Sequence, residues 1–154
     1  MAAVIRVAFL LATLSLSPLT VADDQRAQFN YMIHCQGCHL PDAVGFSGRV
    51  PRMKDFAGFF LHSDEGREFL IRVPGVSTAS LPDDQVAELI NWLLVTYSAP
   101  QLPVDFRPFT EPEVAGLRAN PERDPESTRR TILQQIAAET PSLARQLAGE
   151  NSGT

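Results

Sequence analysis

The stretch NYMIHCQGCHLPDAVG, Asn30 to Gly45, holds both cysteines of the chain. Cys35 and Cys38 stand two residues apart, and His39 follows at once. A trio of this kind can do four things. The thiols can cycle between dithiol and disulfide, as in thioredoxin-like enzymes. They can bind zinc together with imidazole. They can form a plain structural disulfide. Or they can bond covalently to a haem whose iron the histidine ligates.

The surroundings weigh these readings. A redox dithiol expects a strand–helix–strand context, and no strand alternation is evident. A structural zinc site needs four ligands, normally from two separated clusters. His34 or His62 could supply a fourth, but there is no second cluster. A lone disulfide leaves the adjacent histidine unexplained. Haem attachment accounts for all three residues. Two thiols at this spacing reach the two vinyl groups on one edge of a porphyrin, and the next residue is set beneath the iron. His39 is then the axial ligand, with one haem c bound covalently per chain through Cys35 and Cys38.

The elements that must position the trio are helical. Asp23–Ile33 reads as a first helix with acids at its start, which the helix dipole favours. Ala27, Tyr31 and Cys35 lie on one stripe of it. LPDAVGFSGRVPRM is loop, and DFAGFFL offers one or two turns. A helix runs from an N-cap at Ser63 to Val73, closed by Pro74 and Gly75, with VSTAS a loop. LPDDQVAELINWLLVTYS is the strongest helix, with Val86, Leu89, Ile90 and Leu93 on its apolar face. The proline-rich segment after Ser98 should run extended over the surface. Three shorter helices follow. EPEVAGLR opens with a capping box of Thr110 and Glu113. The next two are marked by Asp124–Pro125 and by Thr140–Pro141. Arg129 and Arg130 read as a solvated face, and NSGT as a frayed end. The expected fold class is therefore all-α.

Composition sets the outer limits. The 154 residues are 44% hydrophobic and 20% charged, which suits a globular chain. The net charge of −5, with no Lys/Arg cluster, argues against nucleic-acid binding. Arg6, the apolar run Val7–Leu19 and small residues at Thr20 and Ala22 read as a secretory signal peptide cut after Ala22. The run is short for a membrane span. Removal of Arg6 would take the net charge from −5 to −6. The expected organisation is a signal peptide at 1–22, a helical domain at 23–98, and a proline-rich segment with a helical extension at 99–154. Residues 23–98 alone make a marginal core, and a bound haem would complete it.

Together these residues resemble a small class I cytochrome c. The resemblance rests on CQGCH, on Ala27 and Tyr31 eight and four positions before Cys35, and on Trp92 and Leu89 in the terminal core helix. It rests also on Pro51, twelve residues after His39. It covers about half of the chain. It implies a cytochrome c-like fold around the haem, with Tyr31 and Trp92 at the helix contact and haem packing. It implies that the Pro51 carbonyl accepts the other N–H of His39, fixing the ring. Arg49, Arg52 and Lys54, which flank Pro51, could pair with the haem propionates.

The sixth iron ligand departs from the family pattern. A methionine usually provides it from the loop before the terminal helix, but here Val73–Ser80 has neither methionine nor histidine. Met53 is a possible sixth ligand, although its place after Pro51 suits a haem-packing residue. His62 is a second candidate, and the third option is no protein ligand.

The function expected from the resemblance is one-electron transfer in the periplasm. The chain would be an electron carrier and not an enzyme. Its partner would be a dehydrogenase or oxidase, with no nucleic acid and no membrane span after signal cleavage. The alternatives are an open-site haem protein with small-ligand or peroxidase-like chemistry, and a haem subunit of a larger redox complex.

Overall fold

The computed structural model describes residues 19–151, with side chains from residue 23 to residue 147. The expected signal peptide, as far as residue 18, lies outside the described residues, as does the expected loose end from residue 152. The fold is all-helical. Among the described residues the one extended pairing is an isolated bridge between Phe46 and Val50.

Two long helices cross to form the frame. α1 (Leu19–His34) buries Ala27, Asn30 and Tyr31. α2 (Gln36–His39) is a single turn that follows it directly. A 3-10 helix, Ala57–His62, turns Phe59 and Phe60 inward. α3 (Asp64–Arg72) starts where the sequence places it, with the Ser63 hydroxyl accepting from the Gly66 N–H at 3.0 Å. Gly66 is required there, because a Cβ would collide with the Phe60 carbonyl. Pro74 does more than close α3. It occupies the first position of a further turn, α4 (Pro74–Ser77), so the expected loop begins only at Thr78.

α5 (Asp83–Ser98) carries two acids in its first turn and buries Val86, Leu89, Ile90, Leu93 and Leu94. It packs across α1. Arg26 reaches over to Glu88 at 2.6 and 2.7 Å, and the Asn30 amide donates to Gln85 at 3.2 Å.

The segment after Ser98 differs from the expected surface strap. After a short turn it runs extended, but Phe109 is 3% exposed, and Asn91 on α5 binds it from both sides. The Phe109 N–H donates to Asn91 Oδ1 at 2.7 Å, and Asn91 Nδ2 donates to the Phe109 carbonyl at 2.9 Å. α6 (Glu111–Arg118) then packs on α5 and α3, with Val114 fully buried.

The expected capping box of Thr110 and Glu113 is not formed as such, since the Thr110 side chain makes no capping bond. The Glu113 carboxylate keeps its half of the box, accepting from the Thr110 N–H, and is also gripped by Arg67 on α3, at 2.6 and 2.9 Å. A charge-assisted bidentate pair is stronger than a neutral cap, so Arg67 is the larger influence on the carboxylate.

α7 (Pro125–Glu139) is capped by Asp124, which accepts from the Ser127 N–H at 3.1 Å. α8 (Pro141–Asn151) folds back along α7. The apolar interior falls into two clusters. One joins α1, α3, α5 and α6. The other packs Ile132, Ile136, Leu143 and Leu147 of α7 and α8 against Phe56, Phe59, Phe60 and Phe69. The four phenylalanines find their partners in the segment beyond Ser98.

Candidate functional site

The site is built from the point where α1 ends. The Cys35 N–H donates to the Tyr31 carbonyl at 2.9 Å, the last bond of α1. The Cys35 carbonyl then accepts from the Cys38 and His39 N–H groups, at 3.1 and 2.9 Å. The thiols and the imidazole are thereby held on consecutive turns. Both cysteines carry free thiols, Cys35 half-buried and Cys38 exposed. Burial pushes the Cys35 thiol up to about 11. Among the described residues no three His, Cys, Asp or Glu side chains converge as a closed zinc site needs.

The loop after His39 doubles back on the imidazole. Leu40, Ala43 and Gly45 all take positive φ, and the Gly45 N–H donates to the His39 carbonyl at 3.0 Å. Gly45 has no substitute here. Its φ is +65°, and a Cβ would collide with the Val50 and Pro51 carbonyls. This tight curl sets the Pro51 carbonyl 3.1 Å from His39 Nδ1. Burial lowers the His39 pKa, while the bond to Pro51 works in the opposite direction. A neutral imidazole that donates from Nδ1 keeps its Nε2 lone pair, the form a metal requires.

Three rings brace the loop from the helix side. Tyr31, Trp92 and Tyr97 stand 5.4–5.7 Å apart, centroid to centroid. The Tyr31 hydroxyl donates to the Leu40 carbonyl at 2.6 Å and that of Tyr97 to Pro41 at 2.7 Å. Sequence reasoning finds Tyr31 and Trp92 and misses Tyr97. The signal is present, since Tyr97 continues the stripe of Val86, Ile90 and Leu93 along α5.

Met53 is half-buried against the main apolar cluster, and its N–H donates to the Ala43 carbonyl at 2.9 Å. His62 is committed elsewhere, with Nε2 3.0 Å from the Gln101 carbonyl. Among the flanking cations, Arg52 bonds the Lys54 carbonyl at 2.6 Å and Asp55 at 3.2 Å.

The loop before α5 is held by a residue that the sequence does not single out. The Arg118 guanidinium, on α6, donates to the carbonyls of Ser77, Ala79 and Leu81 and to Asp83. The Ser77 hydroxyl, buried beside that loop, has no hydrogen-bond partner among the described residues.

The donor set fits a covalently attached haem. It offers two thiols on adjacent turns and an imidazole with Nδ1 tied to a carbonyl. Beside them is an apolar cluster whose partly covered members include Cys35, Met53, Val76 and Leu81.

Comparison with known proteins points the same way. A cytochrome c-552 of Thermus thermophilus is 28% identical over 152 residues, spanning 87% of this chain and 95% of that protein. The chain is similar to c-type cytochromes. A second Thermus thermophilus cytochrome c-552 is 28% identical over 127 residues, spanning 71% of this chain and 90% of the relative. The first likeness covers more of the chain than residues 1–98 hold, so it extends into the segment after Ser98. No family model matches the chain, and no solved structure matches it.

Proposed function

We propose that this chain is an exported c-type cytochrome that carries single electrons between periplasmic redox proteins. The observation that carries this reading is the tie between His39 Nδ1 and the Pro51 carbonyl directly behind the Cys35–Cys38 pair. The likeness to two cytochromes c-552 supports it.

In this reading Cys35 and Cys38 form the thioether bonds, and His39 Nε2 ligates the iron. The haem iron supplies a one-electron couple when bound. The protein does the rest. Pro51 fixes the imidazole and raises its basicity. Tyr31 and Tyr97 hold the loop that carries Pro51, and the apolar cluster keeps water from one side of the site. Residues 23–98 provide the attachment site, and Arg118 beyond them holds the loop before α5. The acidic surface would steer toward a basic partner, a dehydrogenase or an oxidase.

A second reading is favoured by one observation. The loop held by Arg118 offers no methionine or histidine, and His62 is occupied by Gln101. Unless Met53 ligates, the sixth position is open and suits small-ligand or peroxide chemistry.

The decisive experiment expresses the chain with haem-maturation machinery and follows haem in a denaturing gel. Haem should remain on the wild-type chain and be lost in Cys35→Ala/Cys38→Ala; retention by the double variant would refute the assignment. Carbon monoxide then separates the readings. Low-spin bands that ignore it mean a protein sixth ligand. Bands that shift at once mean an open iron.

A further inference from the structure

We propose that the groove between α7 and α8 binds an amphipathic monocarboxylate, of the medium-chain fatty acid class, with Arg129 taking the carboxylate. This inference stands apart from the haem reading and uses none of its residues.

The observation begins with a half-buried cation that pairs with no anion among the described residues. The Arg129 guanidinium lies over the Phe56 ring at 4.6 Å and 5.5 Å from the Phe60 ring, both rings buried. It makes no hydrogen bond or ion pair among the described residues. The sequence reads Arg129 as part of a solvated face, but burial lowers its pKa. The neighbouring charges do not compensate it. Glu126 and Arg130, which line the same groove, pair with each other at 3.2 Å. Ring stacking recovers part of the cost of half-burying a guanidinium, and its N–H donors, bonded to no protein group among the described residues, belong to the lining of the groove. A carboxylate accepts two of them at once in the fork geometry that arginine favours.

The second observation is the space beside it. The groove has a volume of about 440 Å³, within the roughly 300–1,000 Å³ of small-molecule sites. Its apolar walls are Leu133, Ala137, Ala144 and Leu147, and the paired Glu126 and Arg130 and the Gln134 amide complete its polar lining. Two alanines facing each other across a helix pair leave a trough where larger side chains would close it. An apolar trough ending at one uncommitted cation selects a ligand with an apolar tail and a single negative charge. A phosphate monoester, nearly doubly charged, would call for a second free cation, and Arg130 is already paired.

The test is titration calorimetry of the full-length, haem-loaded protein with decanoate and with decanol. Decanoate should bind at least about tenfold more tightly than decanol, the margin expected of a charge-assisted hydrogen-bonded pair. Arg129→Gln should weaken decanoate to the level of decanol, and Ala144→Phe should abolish binding of both by filling the trough. No binding of decanoate, equal binding of decanol, or insensitivity to Ala144→Phe would each overturn the proposal. If Arg129→Gln fails to fold, the comparison of the two ligands on the wild-type protein decides it alone.

Discussion

The geometry of His39 depends on a few residues whose own chemistry is plain. Gly45 is the tightest of them, since its φ of +65° and the nearby Val50 and Pro51 carbonyls leave no room for a side chain. Gly45→Ala should cost more than the ~1–2 kcal/mol of a left-handed alanine, because the loop must also open. The expected result is a lower denaturation midpoint and a weakened His39–Pro51 bond, read from the imidazole Nδ1–H resonance. Tyr31→Phe is the milder change. It keeps the ring contacts and removes only the hydroxyl that donates to Leu40. It should destabilise by about 1 kcal/mol in denaturant titration, or slightly more if the buried Leu40 carbonyl finds no water. The bond to Pro51 is readable from sequence because it closes over only twelve residues and needs only a backbone carbonyl. Tyr97 is harder to see, because its role depends on which face of α5 meets the loop.

Between elements, two arginines do what the loops cannot do themselves. Arg67 joins α3 to α6 through Glu113 and also bonds the Arg107 and Pro108 carbonyls, with its guanidinium 4.0 Å from the Phe109 ring. Hydrogen bonding to Arg67 holds the Glu113 carboxyl below its usual range. The folded state therefore binds the Glu113 proton less readily than the unfolded chain does. The stability this confers is present above about pH 4.5, the ordinary carboxyl value, and is lost as pH falls below it through the depressed folded value. Glu113→Gln should flatten that part of the stability–pH curve, and an unchanged acid limb would refute the assignment. Arg67→Met should cost about 2 kcal/mol, less than the loss of a fully buried pair because Glu113 keeps some solvent. Arg118→Ala removes every bond that ties the loop before α5 to α6, so amide hydrogen exchange should accelerate at residues 77–81 while α1 is unaffected. Neither arginine is legible in the sequence. A cap such as Ser63 or Asp124 is a local pattern of three or four residues, whereas Arg67 finds Glu113 across 46 positions. That long-range pair adds to the half of the capping box, Glu113 to the Thr110 N–H, which local pattern suggests.

Across the whole molecule, the helical class and most helix positions follow from apolar spacing and caps, because each is decided within one element. The role of the segment after Ser98 is not legible. Its prolines read as a surface strap, yet Phe109 and Val114 enter the main core and α7 and α8 cover a second one. The four phenylalanines around the 3-10 helix are the reason. They form one wall of the second cluster, and Ile132, Ile136, Leu143 and Leu147 of the later helices supply the other. A chain ended at residue 123 should keep α1 and α5 but expose Phe56, Phe59, Phe60 and Phe69. It should bind a hydrophobic dye and self-associate more strongly than the full chain.

The clamp at Arg118 also sets an order of events in time. Synthesis delivers Cys35, Cys38 and His39 early and the guanidinium 79 positions after His39, so the loop before α5 has no anchor until most of the chain exists. During that interval the loop moves without its clamp, and the late arrival of one arginine fixes it, while Cys38 stays exposed before and after. Chains ended at residue 110 should therefore show faster amide hydrogen exchange at residues 77–81 than full-length chains.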